Sequence, residues 1–156
     1  ARVIYNRLEI GMKLQIDATL YYNAPADASF TDLKALDTPY NTYLYKGLPP
    51  TPIASPGRAS IEAALNPAPN PSSGDPICAG APTPCRYLYY VLSDSDGGHA
   101  FAATLAQHEA NVATAKAAGL LPWKWHPPPS EAKAAGVHNA VVRVRAAKMD
   151  FFMMIP

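Results

Sequence analysis

Val3, Ile4 and Leu8 fall on one face of a 3.6-residue repeat, with Arg7 and Glu9 off that face. Gly11 stands where a left-handed C-terminal cap would end the segment, which therefore reads as the last turns of a helix. Met12, Leu14 and Ile16 then alternate with Lys13, Gln15 and Asp17, and this period of two predicts a half-buried strand. Gln15 and Asp17 would emerge together on its polar face. A short helix is predicted from Thr31 to Leu36, after which Pro39, Pro49, Pro50, Pro52 and Pro56 forbid regular structure up to Gly57. Ser55 as N-cap with Pro56 at the first helical position predicts a helix through Ile61 and Leu65, stopped by Asn66-Pro67.

Further on, Tyr87–Leu92 has strand composition, Asp94-Ser95-Asp96-Gly97-Gly98 has turn chemistry, and His99-Ala100-Phe101 can return as a second strand. A β-hairpin follows. Thr104 with Gln107 fits a capping box, so a helix is predicted through Ala118 and closed by Gly119. Residues 67–86 form a Pro/Gly-rich insertion, and residues 120–156 are a tail of different texture. The fold class is α+β: a single mixed domain over 1–119 with short strands, a hairpin, a few helices and long Pro-rich loops.

Composition narrows the class. With 156 residues, 13 Lys+Arg and 12 Asp+Glu, the formal charge is only +1, so no charge excess selects a polyelectrolyte partner. Charged residues are 16%, while the 17 prolines are about twice the usual share, which favours loops over a helical bundle. No apolar run reaches the ~18–20 residues of a membrane span. Trp123-Lys124-Trp125 carries too few charges for a nucleic-acid stripe. Cys78 and Cys85 could close a loop disulfide or remain thiols, and they lack the paired C-x-x-C halves of a zinc site. No nucleotide, serine-hydrolase or zincin motif occurs, and His108-Glu109 reads as a solvated helix face.

The remaining candidate chemistry is aromatic and amide-rich. Tyr40-Asn41-Thr42-Tyr43 lies on a Pro-flanked loop, where tyrosine faces could stack on sugar C–H surfaces and Asn or Thr could bond hydroxyl or N-acetyl groups. The alternative is a loop whose tyrosines merely pack. Gln15, Asp17 and His99 are further candidates for substrate contact, each equally explicable as scaffold.

Several blocks in fixed order carry a resemblance. Asn6-Arg7-Leu8, Ile10-Gly11-Met12-Lys13-Leu14-Gln15, Asp17, Tyr40-Asn41-Thr42-Tyr43, Gly47-Leu48-Pro49-Pro50, Ser60-Ile61-Glu62-Ala63-Ala64-Leu65, Tyr87-Leu88-Tyr89-Tyr90-Val91, Gly98-His99, Thr104 and His108 are similar to the YceG/MltG-like endolytic murein transglycosylases. The resemblance spans roughly 3–112, with 70–85 inserted and no counterpart for the segment after Gly119. It implies a bacterial cell-envelope enzyme, anchored by an N-terminal membrane helix, that cuts peptidoglycan glycan strands and leaves 1,6-anhydro-muramyl ends. It implies no cofactor, and peptidoglycan synthases as possible partners. Such a lyase needs one carboxyl group that protonates the glycosidic oxygen and then, as carboxylate, takes the proton of the muramyl C6 hydroxyl.

The resemblance places that glutamate on the helix leading into Asn6-Arg7-Leu8, before Ala1, and leaves Gln15, Asp17, Tyr40, Asn41, Thr42, Tyr43 and His99 as substrate-binding residues. A chain lacking the acid/base would be inactive alone, and a domain cut inside a helix loses part of its core, so a third reading is a truncated product that does not fold alone. The rival reading is a non-catalytic peptidoglycan-binding or division-complex module.

Overall fold

The computed structural model describes residues 1–25 and 27–121. The expectations for Trp123-Lys124-Trp125 and for nearly all of the tail lie outside the described residues. In chain order the elements are α1 (Arg2–Glu9), α2 (Asp17–Leu20), α3 (Phe30–Ala35), α4 (Arg58–Leu65), a 3-10 turn (Pro76–Cys78), β1 (Tyr89–Leu92), β2 (His99–Ala102) and α5 (Leu105–Ala117). The class is α+β, as the sequence predicts. The described residues group into two compact units, Ala1–Gly11 with residues 67–121, and Met12–Asn66.

The first unit is built on the expected hairpin. β1 and β2 pair antiparallel with Tyr89 opposite Ala102 and Leu92 opposite His99. The turn is held by Asp94, whose Oδ1 accepts from the backbone N–H of Gly98 (2.7 Å) and Asp96 (3.0 Å). A Cβ at position 98 would lie 2.0 Å from Asp94 Oδ2, so the carboxylate occupies the space that glycine leaves. α5 packs on both strands. Its capping box forms as predicted, Thr104 Oγ1 accepting from Gln107 N–H and Gln107 Oε1 accepting from Thr104 N–H.

α1 ends as predicted, with Gly11 at φ +65°, but its buried face differs from the apolar reading. Val3 and Ile4 are buried together with Asn6 and Arg7, while Leu8 is only half-buried. The physical reason is that both polar side chains find partners inside. Arg7 Nε donates to the Leu88 carbonyl (2.6 Å) and its guanidinium lies 5.1 Å from the centre of the Tyr89 ring. Asn6 donates to the Tyr87 carbonyl (2.8 Å). The insertion is ordered by the same helix: Arg2 reaches the carbonyls of Pro67 and Ala68, and Glu9 pairs with Arg86 at 2.7 Å. Within it Cys78 and Cys85 are joined in a disulfide, which resolves the alternative left open by their spacing.

In the second unit the predicted strand over 12–17 is corrected. Leu14 and Ile16 are buried and Gln15 and Asp17 exposed, so the alternation in burial survives. No strand forms, because Gln15 adopts φ +52° and breaks the pleat. The backbone N–H groups of Gln15 and Ile16 donate to the carbonyl (3.0 Å) and hydroxyl (2.9 Å) of Thr42 instead of to a ladder. Asp17 then opens the single turn α2. α3 begins at a Ser29–Asp32 capping box, and 36–57 is irregular, as its prolines require. α4 ends at Asn66 as predicted but starts later. Gly57 is its N-cap, Ser55 makes no cap, and Pro56 precedes the helix. The small core of this unit is Leu14, Ile16, Leu20, Leu33 and Ala64, with Thr19, Asn41, Thr42 and Ser60 buried among it.

Candidate functional site

The loop 40–43 is organised by two inward-facing side chains. Asn41, 1% exposed, donates through Nδ2 to the carbonyls of Leu33 (3.2 Å), Lys34 (3.1 Å) and Leu36 (2.8 Å). Its Oδ1 accepts from the Tyr43 N–H at 2.9 Å. One amide thus satisfies the C-terminal carbonyls of α3 and fixes the backbone that carries Tyr43. Thr42, 3% exposed, accepts from Ile16 N–H and shares a hydroxyl pair with Thr19 at 2.9 Å. Asn41 and Thr42, expected from the sequence to meet sugar groups, thus have their polar side chains bonded within the chain.

Their neighbours face outward. The Tyr43 hydroxyl donates to the exposed Asp17 carboxylate, and the Lys34 ammonium lies 4.8 Å from the centre of the Tyr43 ring. Gln15 is exposed, two residues before Asp17. Tyr40 is half-buried, its ring 4.6 Å from that of Tyr22 and its hydroxyl 2.9 Å from Thr51 Oγ1. The structure thus joins Asp17, Tyr43 and Lys34 around a loop built by Asn41 and Thr42. Lys34 carries no sequence signal as a site residue, since its spacing from Phe30 is that of any i,i+4 surface pair. The nearby Tyr21 hydroxyl has its pKa raised by burial and by the Asp17 charge.

His99 belongs to the other unit. It stands opposite Leu92 at the turn end of the hairpin, its ring 6.0 Å from that of Tyr90 in edge contact. Burial lowers its pKa, which favours the neutral imidazole. His108 is also not the solvated residue that its helix suggests. Its ring stacks on Tyr89 at 5.2 Å, and its Nδ1 is buried without a hydrogen-bond partner. Among the described residues no cluster of three or more His, Cys, Asp or Glu could hold a metal ion. No helix among them is long and apolar enough to cross a membrane.

An α+β chain in which a tyrosine of a proline-flanked loop bonds an aspartate at the start of a short helix is the class these features define. Residues 1–114 match the YceG-like family, and the chain belongs to that family. It is 40% identical over 111 residues to an endolytic murein transglycosylase of Bacillus subtilis, covering 69% of this chain and 26% of that protein. It is 31% identical over 120 residues to an endolytic murein transglycosylase of Streptococcus pneumoniae, covering 72% of this chain and 19% of that protein. The chain thus spans about a quarter or less of these relatives. Among solved structures it is similar to the yceG-like protein lmo1499 of Listeria monocytogenes, with a TM-score of 0.51 and 34% identity over 70% of this chain and 30% of that one.

Proposed function

We propose that this chain is part of the glycan-cleaving region of an endolytic murein transglycosylase acting at the bacterial cell envelope. The observation that carries the reading is the exposed bond between Asp17, at the start of α2, and Tyr43, on a loop whose other polar groups, Asn41 and Thr42, serve the fold. An outward carboxylate and phenol fixed from behind suit recognition of sugar hydroxyl and N-acetyl groups, and the relatives' name as endolytic murein transglycosylases supplies the reaction class.

Gln15, Asp17, Tyr40 and Tyr43 are assigned to contact the glycan strand, Asn41 and Thr42 to position them, and His99 to a contact on the hairpin unit. The acid/base is a glutamate of the parent protein on the segment before Ala1. It protonates the glycosidic oxygen, then deprotonates the muramyl C6 hydroxyl, which closes on the anomeric carbon to give a 1,6-anhydro end. The parent is held at the membrane by an N-terminal helix and works beside peptidoglycan synthases.

Incubation of the full-length parent with purified sacculi, with analysis for anhydro-muropeptides, tests the reading. The parent releases these ends and the 156-residue chain alone does not. Asp17→Asn and Tyr43→Phe in the parent lower turnover by about threefold to tenfold with the melting temperature unchanged, the loss of a substrate hydrogen bond. A parent that binds sacculi but releases no anhydro ends is instead a binding module. Unaltered rates in both variants return the loop to a packing role.

A further inference from the structure

We propose that the Cys78–Cys85 disulfide is a redox latch on the N-terminus of α5, acting through Gln107. The bridge closes the inserted segment, and the two carbonyls that flank Cys78 accept from Gln107 of α5. Gln107 Nε2 donates to Ile77 O (2.9 Å) and Ala79 O (3.3 Å). The Oε1 of the same amide accepts from Ala103 N–H (3.1 Å) and Thr104 N–H (3.2 Å), closing the capping box. One side chain therefore holds the disulfide loop with its donors and the start of α5 with its acceptor. The loop is ordered on the near side by Asp75, whose Oδ1 accepts from Ile77 N–H at 3.0 Å. On the far side the covalent bridge joins it to Cys85, next to which Arg86 pairs with Glu9 at 2.7 Å.

Both cysteines are half-buried and line an open groove of about 440 Å³ with Glu9, Asn70 and Arg86, so a small thiol reaches the sulfur atoms. Reduction by a dithiol runs in two exchanges. Its thiolate attacks one Sγ and expels the other as a thiolate, which takes up a proton. Its second thiol then attacks the mixed disulfide, closes a cyclic disulfide on the reductant and releases the second cysteine, so two electrons and two protons pass to the protein. With the loop open, Ile77 and Ala79 no longer hold Gln107, and the amide is free to leave the cap. In an oxidising compartment the latch is shut and the α5 start is ordered.

Amide hydrogen exchange on the 156-residue chain, with and without dithiothreitol, reads the coupling. Reduction should speed exchange at Ala103, Thr104 and Gln107 by roughly tenfold while the centre of β1 is unchanged, the loss expected of one capping side chain. Gln107→Ala should show the fast exchange in both states, since it removes the coupling and keeps the bridge. Unchanged exchange at 103–107 on reduction overturns the proposal. So does a count of two free thiols in the air-oxidised chain. If reduction unfolds the whole first unit, exchange also rises throughout β1, and the bridge is then a general staple rather than a latch.

Discussion

Asn6 and Asn70 exchange two amide hydrogen bonds, Asn6 Nδ2 donating to Asn70 Oδ1 at 2.6 Å and Asn70 Nδ2 donating to Asn6 Oδ1 at 3.1 Å. Asn6 is 0% exposed, and its second N–H goes to the Tyr87 carbonyl, so one side chain ties α1 to the insertion and to the approach to β1. An aspartate here keeps the shape but turns both donors into acceptors facing two oxygens. Asn6→Asp should destabilise the first unit by about 3 kcal/mol or more, since it leaves a buried charge among acceptors. Denaturant unfolding measures it. A loss within about 0.5 kcal/mol would show that the amide pair is not a structural joint.

Asn41→Ala distinguishes a positioning residue from a substrate contact. The Lys34 carbonyl and the Tyr43 N–H lose the Asn41 amide, while the carbonyls of Leu33 and Leu36 each lose one of two bonds and keep the backbone N–H of Leu36 and Thr38. The second unit should lose about 2–3 kcal/mol, and Asn41→Asp should not rescue it, because the three carbonyls need donors. A variant of full stability with reduced glycan binding would return Asn41 to the substrate.

Much of the first unit is legible in the sequence because its signals are local. The hairpin turn, the Thr104–Gln107 box and the Gly11 and Gly119 stops each lie within a few residues. The features that mislead are those decided at long range. Arg7 reads as solvent-facing until Leu88 and Tyr89 supply a carbonyl and a ring face, and 12–17 reads as a strand until Thr42 takes its N–H groups. The site divides in the same way. Asp17 and Tyr43 stand out in the sequence as candidates, but that Asn41 and Thr42 point inward depends on carbonyls of α3 and on Thr19. Residue type cannot show which side of a loop faces the core.

Gln15, exposed and a candidate for substrate contact, holds at φ +52° a left-handed backbone that a side chain rarely adopts. Glycine reaches that conformation without Cβ strain. Gln15→Gly should therefore hold or raise the stability of the second unit by up to about 1 kcal/mol, with strain relief offset by the freer unfolded chain. In the parent protein the same change should weaken glycan cleavage through loss of the amide. Thermal melts and sacculus digestion measure the two effects separately. A variant that is both less stable and fully active would show that the side chain serves the fold.

The last expectation is a pH dependence carried by His108. Its ring stacks on Tyr89, burial lowers its pKa below 6.5, the Arg7 guanidinium lowers it further, and Glu109 opposes both. The folded state thus binds this proton less readily than the unfolded chain does. The contribution to stability is complete above the unfolded value of 6.5 and declines as pH falls from there toward the folded pKa. His99 is shifted the same way by burial and adds to the slope. Denaturant midpoints measured from about pH 8 to about pH 5 should fall for the native chain, and His108→Phe, which keeps a ring to stack on Tyr89, should flatten part of that fall. An identical slope in the variant would mean that His108 keeps its ordinary pKa in the folded unit, and that its stacking on Tyr89 does not exclude the proton.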